Sequence, residues 1–432
     1  MRPGTPTSGA GLLLAFWFSW GLSGQVAQAQ TPAARCTAVT GALMTPAAKN
    51  SWARLDAKSD IAADALLIAF FGAEFHSPNG AVNARLVADV GQRGPFPVLE
   101  AAIRFHVNPK VDLDVTLERG ILILTNTKKT GSAHVRVYLR EEPFEVTLNE
   151  PNASLVIEVY GRHVPGPPHL SDPKLDDPVA NIAFFAVEGE AVVAKPTSSI
   201  RLHAPPGQAL LLWDNVTRMG HPVRFEKLPE SAKPMSVEER KQFEAISGFA
   251  KSWAVKPSDI GTALERAVFS KEAAERKAAV VALGALDDLS RLMRVLNNKD
   301  HADTRDMAIL VLRHWLGREP GQSIRLYEHL TKIETYTPIQ AKNFIYLCNG
   351  LEAEKRRQPA TYDLLIRALD HGKMPMRELA RWHLVRLAPD GKSIAYDAAH
   401  AAEQRREAIL AWRRLIPDGE LPPAPKQGSS PK

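Results

Sequence analysis

The chain has 432 residues, a formal net charge of +6, 45% hydrophobic and 24% charged residues, and only two cysteines. That length is enough for two or three separate cores, while two cysteines without paired spacing exclude a disulfide-dense scaffold and a thiolate metal site. The basic residues are interleaved with acids, as in "MSVEERKQFE" and "AAEQRREA". This is the pattern of solvated helix faces, not the one-sign patch with stacking aromatics that a nucleic-acid partner requires.

At the N-terminus, Arg2 precedes the apolar run "GLLLAFWFSWGL" (Gly11 to Leu22), and Ala27, Gln28 and Ala29 supply small residues beside a cleavage point. Residues 1–29 therefore read as a signal peptide cut after Ala29, with an uncleaved anchor as the alternative. The run is short for a membrane span. The expected location is periplasmic or secreted, peripheral to a membrane at most. Residues 30–50 are expected to be a flexible segment. Oxidising export would permit a bridge between Cys36 and Cys348, although Cys348 within "FIYLCNGL" reads better as a small buried apolar residue.

Over 51–228 the apolar residues alternate. "VDLDVTLERG" places Val111, Leu113, Val115 and Leu117 on one face and Asp112, Asp114, Thr116 and Glu118 on the other; "AHVRVYL", "FEVTL" and "LVIEVY" repeat the pattern. Period two with β-branched residues and Gly, Pro or Asn interruptions predicts antiparallel strands with one wet face. The proline-rich "GRHVPGPPHLSDPKLDDP" is expected to cross between sheets. A sandwich and a coiled β-solenoid both fit.

Over 235–420 the period changes to that of a helix. Four segments share R-x-x-A-x-x-x-[LW]-x-x-[LW]: Arg276, Ala279, Leu283 and Leu286; Arg305, Ala308, Leu312 and Trp315; Arg377, Ala380, Leu384 and Leu387; Arg405, Ala408, Trp412 and Leu415. Offsets of three, seven and ten share one helix face, so each copy offers the same stripe to a neighbour. Stacked helix pairs of this kind form an α-solenoid. Residues 421–432 read as a disordered tail.

The segments "LERGILIL", "EPFEVTL", "AVEGEAVV" and "IRLHAPPGQALLL", spread over the 110 to 215 region, resemble the FecR family of exported bacterial signalling domains. The helical half is similar to HEAT-type repeats, with a short one-copy spacing of 28 or 29 residues. The resemblance implies an α+β protein in separate domains, an all-β antiparallel domain followed by an all-α short solenoid. Family members that signal across a membrane carry an anti-sigma segment and a span, where this chain has the apolar leader. The usual Gly-Thr before the central strand is replaced by "VYGRHVPG".

No GxSxG, HExxH, P-loop or GxGxxG occurs. "HAD" at His301 to Asp303 reads as an inter-helix turn capped by Asp303 or Thr304 rather than a metal pair. Asp112 with Asp114, and Asp176 with Asp177, are carboxylate pairs of the kind a glycosidase or a calcium site uses, but the first pair reads more simply as the wet face of a strand and the second as part of a polar loop. Trp213 reads as a core anchor before a sugar platform. No enzyme, cofactor or metal is expected. The expected function is binding: an envelope sensor, adaptor or scaffold for a protein partner or envelope polymer. A polysaccharide-active enzyme, or sigma-factor control through a separate membrane protein, stands as the alternative. In the third repeat copy, Arg381 and His383 replace apolar residues on the flank of the stripe, and they are the candidate partner contacts.

Overall fold

Alternating side chains divide the first half between two faces, and the strands follow that alternation. The computed structural model describes residues 32–47, 51–88, 100–205, 207–218, 220–224, 227, 236–253 and 260–424. The expected leader at 1–29 and the last residues of the expected tail lie outside them. In chain order the first strands are β1 (Ala34–Val39), β2 (Ala42–Pro46), β3 (Trp52–Leu55), β4 (Asp60–Ile61), β5 (Leu67–Phe70), β6 (Ala73–His76), β7 (Val82–Val87) and β8 (Ala101–His106). The long β9 (Leu113–Asn126) follows. Then come β10 (Ala133–Leu139), β11 (Glu142–Leu148), β12 (Ser154–Arg162), β13 (Val179–Glu188), β14 (Glu190–Lys195), β15 (Ser198–His203), β16 (Gln208–Asp214) and β17 (Gly220–Arg224).

The strands form two facing layers. One runs β4-β1-β6-β7-β9-β12-β13-β16-β17. The other runs β3-β2-β5-β8-β9-β10-β11-β14-β15. Strand β9 belongs to both: Leu113 to Arg119 pair with β8 and β10, and Gly120 to Asn126 pair with β7 and β12. The exchange occurs at Gly120, where φ is +102° and an added Cβ would lie 2.4 Å from Ala101 Cα, so only glycine fits. β9 with β10 is a parallel pair, and the other described pairings are antiparallel. Between the layers, Phe75 meets Phe105 at 4.9 Å and Phe144 meets Phe184 at 5.1 Å, within one continuous apolar core. Of the two expected β architectures, this is the sandwich.

Two expectations are corrected here. The segment expected to be flexible, 30–50, contains β1 and β2. Its Ala- and Thr-rich composition hides two strands, in which Cys36 of β1 and Leu43 and Met44 of β2 are fully buried. The proline-rich stretch does not cross between sheets. It joins β12 to β13, which are antiparallel neighbours, and leaves the sheet to lie on the helices.

The helices are α1 (Val237–Ser252), α2 (Ile260–Ala267), α3 (Ala273–Ala285), α4 (Leu289–Val295), α5 (Ala302–Leu316) and α6 (Gln322–Lys332). They continue as α7 (Pro338–Asn349), α8 (Pro359–Ala368), α9 (Met374–Leu387) and α10 (Ala402–Leu415). Helices α3, α5, α7 and α9 form a row, each packed on the next; α4, α6 and α8 pair with members of that row, and α10 packs on α8.

The two halves are not separate. Ala42, Met44, Ile68, Phe70, Phe71 and Ala102, on the outer face of β2, β5 and β8, belong to the same apolar cluster as the helices. Phe70 meets Trp253 of the segment after α1 edge-on at 5.4 Å. The cause is visible in the strands. Both faces of β5 are apolar, so one faces the sandwich core and the other needs the helices to exclude water.

Candidate binding surfaces

The repeated arginines hold the scaffold. Each donates to carbonyls of the loop just before its own helix: Arg276 to Ser270 and Lys271, Arg305 to Asn298, Arg377 to His371 and Gly372, and Arg405 to His400. A guanidinium offers five donors in a rigid fork, so the same side chain also reaches a second element. Arg276 binds Asp303 at 2.8 Å, Arg405 binds Asp370 at 2.6 Å, and Arg377 donates to the Ala398 carbonyl at 2.8 Å. Arg305, fully buried, binds Glu378 of α9 at 2.7 Å and also Asp397. The stripe residues Ala279, Leu283, Ala308, Leu312, Ala380, Leu384, Ala408 and Trp412 are buried. A fifth copy escaped the pattern: in α7, Ala341, Ile345 and Cys348 keep the buried offsets, while Pro338 replaces the arginine. Thr337 and Gln340 form a capping box there instead, so the loop needs no arginine.

The structure removes one of the two candidate contacts from the surface and ties down the other. His383 is 5% exposed, and its Nε2 donates to the Leu347 carbonyl at 2.8 Å. Burial lowers its pKa to about 4, so the ring is neutral. Arg381 bonds Glu378 at 2.6 Å and also Asp306. Both polar replacements therefore serve α9 packing against α5 and α7.

The neighbouring positions are different. The guanidinium carbons of Arg313 and Arg386 lie 4.8 and 3.7 Å from the Trp382 ring centre. Arg313 donates to the Cys348 carbonyl at the end of α7, Arg386 to the Trp382 carbonyl at 3.1 Å, and Arg356 to the Leu351 carbonyl at 2.8 Å. Burial lowers Arg386 to about 10; repulsion from Arg313 and Arg381 acts the same way, against attraction from Asp306. The signal available in the sequence was "WHLVR", which puts Trp382 and Arg386 four residues apart on one helix face.

A buried charge cluster joins the halves. Glu100 accepts from Arg119 at 2.7 Å and from Arg318 at 2.6 Å, with His314 Nε2 at 3.5 Å. Burial by itself would raise the Glu100 pKa; Arg318, His314 and Arg119 outweigh it and hold the carboxyl well below its ordinary range. Arg318 and Arg119 also donate to the Gly284 and Ala285 carbonyls at the end of α3, where the helix dipole favours positive charge. The proline-rich loop adds a clasp. His163 Nε2 donates to the Leu316 carbonyl at 3.0 Å, and Asp176 accepts from the Ser323 amide in the first turn of α6 at 3.0 Å.

A groove of roughly 1150 Å³ opens between the β2–β3 edge and helices α2, α4 and α6. Trp52, Leu264, Leu286 and Ile333 give it apolar walls, and Arg291, Arg325, Glu328 and Lys332 give it charged ones. Ile333 is 63% exposed at its rim.

The carboxylates singled out for chemistry are engaged elsewhere. Asp112 accepts from Lys128 at 2.7 Å and from the His134 amide at 2.8 Å. Asp114 is buried, not on a wet face, and accepts from Asn108 at 2.6 Å. Asp176 clasps α6, as above. Within "HAD", α5 begins at Ala302, Thr304 donates to the His301 carbonyl, and Asp303 binds Arg276. Trp213 is buried edge-on to Phe144 at 5.6 Å. Cys36 and Cys348 are both buried and free, and burial raises Cys348 to about 12.

His106 lies 2.5 Å from Asp64 and 2.7 Å from Thr116, an acid–imidazole–hydroxyl chain in outline. Thr116 sits mid-strand with both neighbours, β8 and β10, paired to it, so it belongs to a cross-strand polar ladder with Arg104–Glu118. Among the described residues, no three His, Cys, Asp or Glu side chains are grouped to hold a metal ion, and no helix is long and apolar enough to cross a membrane. Compared with protein-family models, curated proteins and solved structures, the chain matches none of them.

Proposed function

We propose that the chain is a non-enzymatic binding scaffold, in which the sandwich and the helical layer act as one rigid body that receives a protein partner. The groove between the β2–β3 edge and α2, α4 and α6 carries this reading, because it is concave, mixed in polarity and built by both halves. The engagement of Asp112, Asp114, Asp176 and the repeat arginines in the fold supports binding over hydrolysis. An exported location and a FecR-like ancestry belong to the same proposal. The segments that carry the resemblance fall on β9, β11, β13–β14 and β15–β16, all within the second half of the sandwich.

Co-purification from envelope fractions, run beside a glycan-hydrolysis panel, tests the reading. Recovery of a discrete partner that is lost in Ile333→Glu supports it. Glycan hydrolysis by the purified chain with no partner recovered overturns it.

A further inference from the structure

We propose that Arg313 and Arg386, packed on Trp382, form with the neighbouring Arg356 a cationic face that binds the carboxylates of an acidic polypeptide segment. The inference deepens the scaffold reading and rests on it, since the ligand is a protein.

Among the described residues, nine arginines of the helical layer are matched by carboxylates. Arg276, Arg291, Arg294, Arg305, Arg318, Arg325, Arg381, Arg405 and Arg413 each have a carboxylate within ion-pair distance. The hydrogen bonds described for Arg313, Arg356 and Arg386, like those of Arg377, go to backbone carbonyls; what sets the three apart is that they lie close together. A carbonyl absorbs one donor and none of the charge. Arg313 feels the repulsion of Arg356; Arg386 feels the attraction of Asp306, which Arg381 already binds, and the repulsion of Arg313 and Arg381. Three cations held together against mutual repulsion are a standing demand for negative charge.

The side chains are also organised. Stacking on the indole fixes the planes of two guanidiniums, so less rotamer freedom is lost when their remaining N–H groups engage a carboxylate in bidentate fashion. Arg313 is further held by the end of α7, and Arg356 and Arg386 are exposed. The cluster lines neither the groove beside α2, α4 and α6 nor the smaller one beside Pro167 and Tyr327. It is an open face running from the turn after α7 to the last turn of α9. An extended chain with several carboxylates spans such a face, whereas a small anion would need enclosure.

The test titrates a fluorescein-labelled oligoglutamate into the full chain by anisotropy, with pyrophosphate as a second ligand. R356A/R386A is the test variant. R406A/R414A, which removes two exposed arginines of α10, controls for general basicity. We expect saturable, salt-sensitive binding that weakens roughly tenfold or more in R356A/R386A and stays unchanged in R406A/R414A. Equal loss in both variants, no binding to the wild type, or saturable binding of pyrophosphate but not of oligoglutamate overturns the proposal. On the wild-type chain alone, bound oligoglutamate should slow hydrogen exchange around 350–357 and 380–387; protection confined to other segments also overturns it. The scaffold reading fails separately. Partner recovery that persists in R356A/R386A leaves that reading standing, and groove variants leave the peptide titration unchanged.

Discussion

Gly161 of β12 and Gly317 after α5 meet backbone to backbone. A Cβ added to Gly161 would lie 1.7 Å from the Gly317 oxygen, and one added to Gly317 would lie 2.1 Å from the Gly161 oxygen. Arg140 donates to that same Gly317 carbonyl at 2.8 Å. This contact lets the helical layer dock on the end of the sandwich, with His314 stacked on Tyr160 and Glu100 sealed against Arg318.

Gly317→Ala is therefore expected to force the halves apart. Overpacking of this kind costs about 1–3 kcal/mol, and more where backbone must move. Calorimetry should show one cooperative transition for the wild-type chain and a lowered or split transition for the variant. An unchanged transition would mean that the contact does not join the halves.

The repeat arginines should rank by burial. Arg305 and Glu378 are both fully buried, whereas Asp303, the partner of Arg276, is partly exposed. Removing one member of a buried pair costs about 3–5 kcal/mol because the other is left uncompensated. Glu378 keeps Arg381, so Arg305→Ala is expected to lose about the lower end of that range, and Arg276→Ala clearly less, measured by urea unfolding. Equal losses would show that the loop carbonyl bonds, not the buried pair, dominate.

His383 makes a pH prediction. Its folded pKa is lowered to about 4, first by burial, while the unfolded ring titrates near its ordinary value of 6.5. Above 6.5 the ring is neutral in both states and stability is fully present. As pH falls toward 4 the unfolded state takes up a proton that the folded state refuses, and stability is lost, by at most about 3 kcal/mol. His383→Gln, which can still donate to the Leu347 carbonyl, should flatten the fall in urea midpoint over this window. His163 and His314 are also lowered by burial, so a shallower slope should remain.

The sequence showed what is periodic and concealed what is tertiary. Alternation marked the strands of the sandwich, and the arginine–alanine stripe marked α3, α5, α9 and α10. The stripe failed at α7 because Pro338 and a capping box do the work of the arginine. The exchange of β9 between sheets at Gly120 moves the core-facing positions from odd (Leu113, Val115, Leu117) to even (Leu122, Leu124), a shift that the all-apolar run Ile121 to Leu124 masks. Arg381 and His383 drew notice because they interrupt an apolar flank. Glu378 stands three residues before Arg381 on the same helix, a readable spacing, but Asp306 and the Leu347 carbonyl come from two other helices, and no spacing within α9 reveals them. The fusion of the halves was hidden for the same reason. Glu100 meets Arg318 across 218 positions of chain.

The most direct test of the binding-scaffold account places a photo-crosslinking residue at Ile333 on the groove rim and, as a control, at Leu212, which is 42% exposed on the sandwich. The account predicts a discrete crosslinked partner from Ile333 in envelope preparations and none from Leu212. Crosslinking from Leu212 with an inert Ile333 would contradict it.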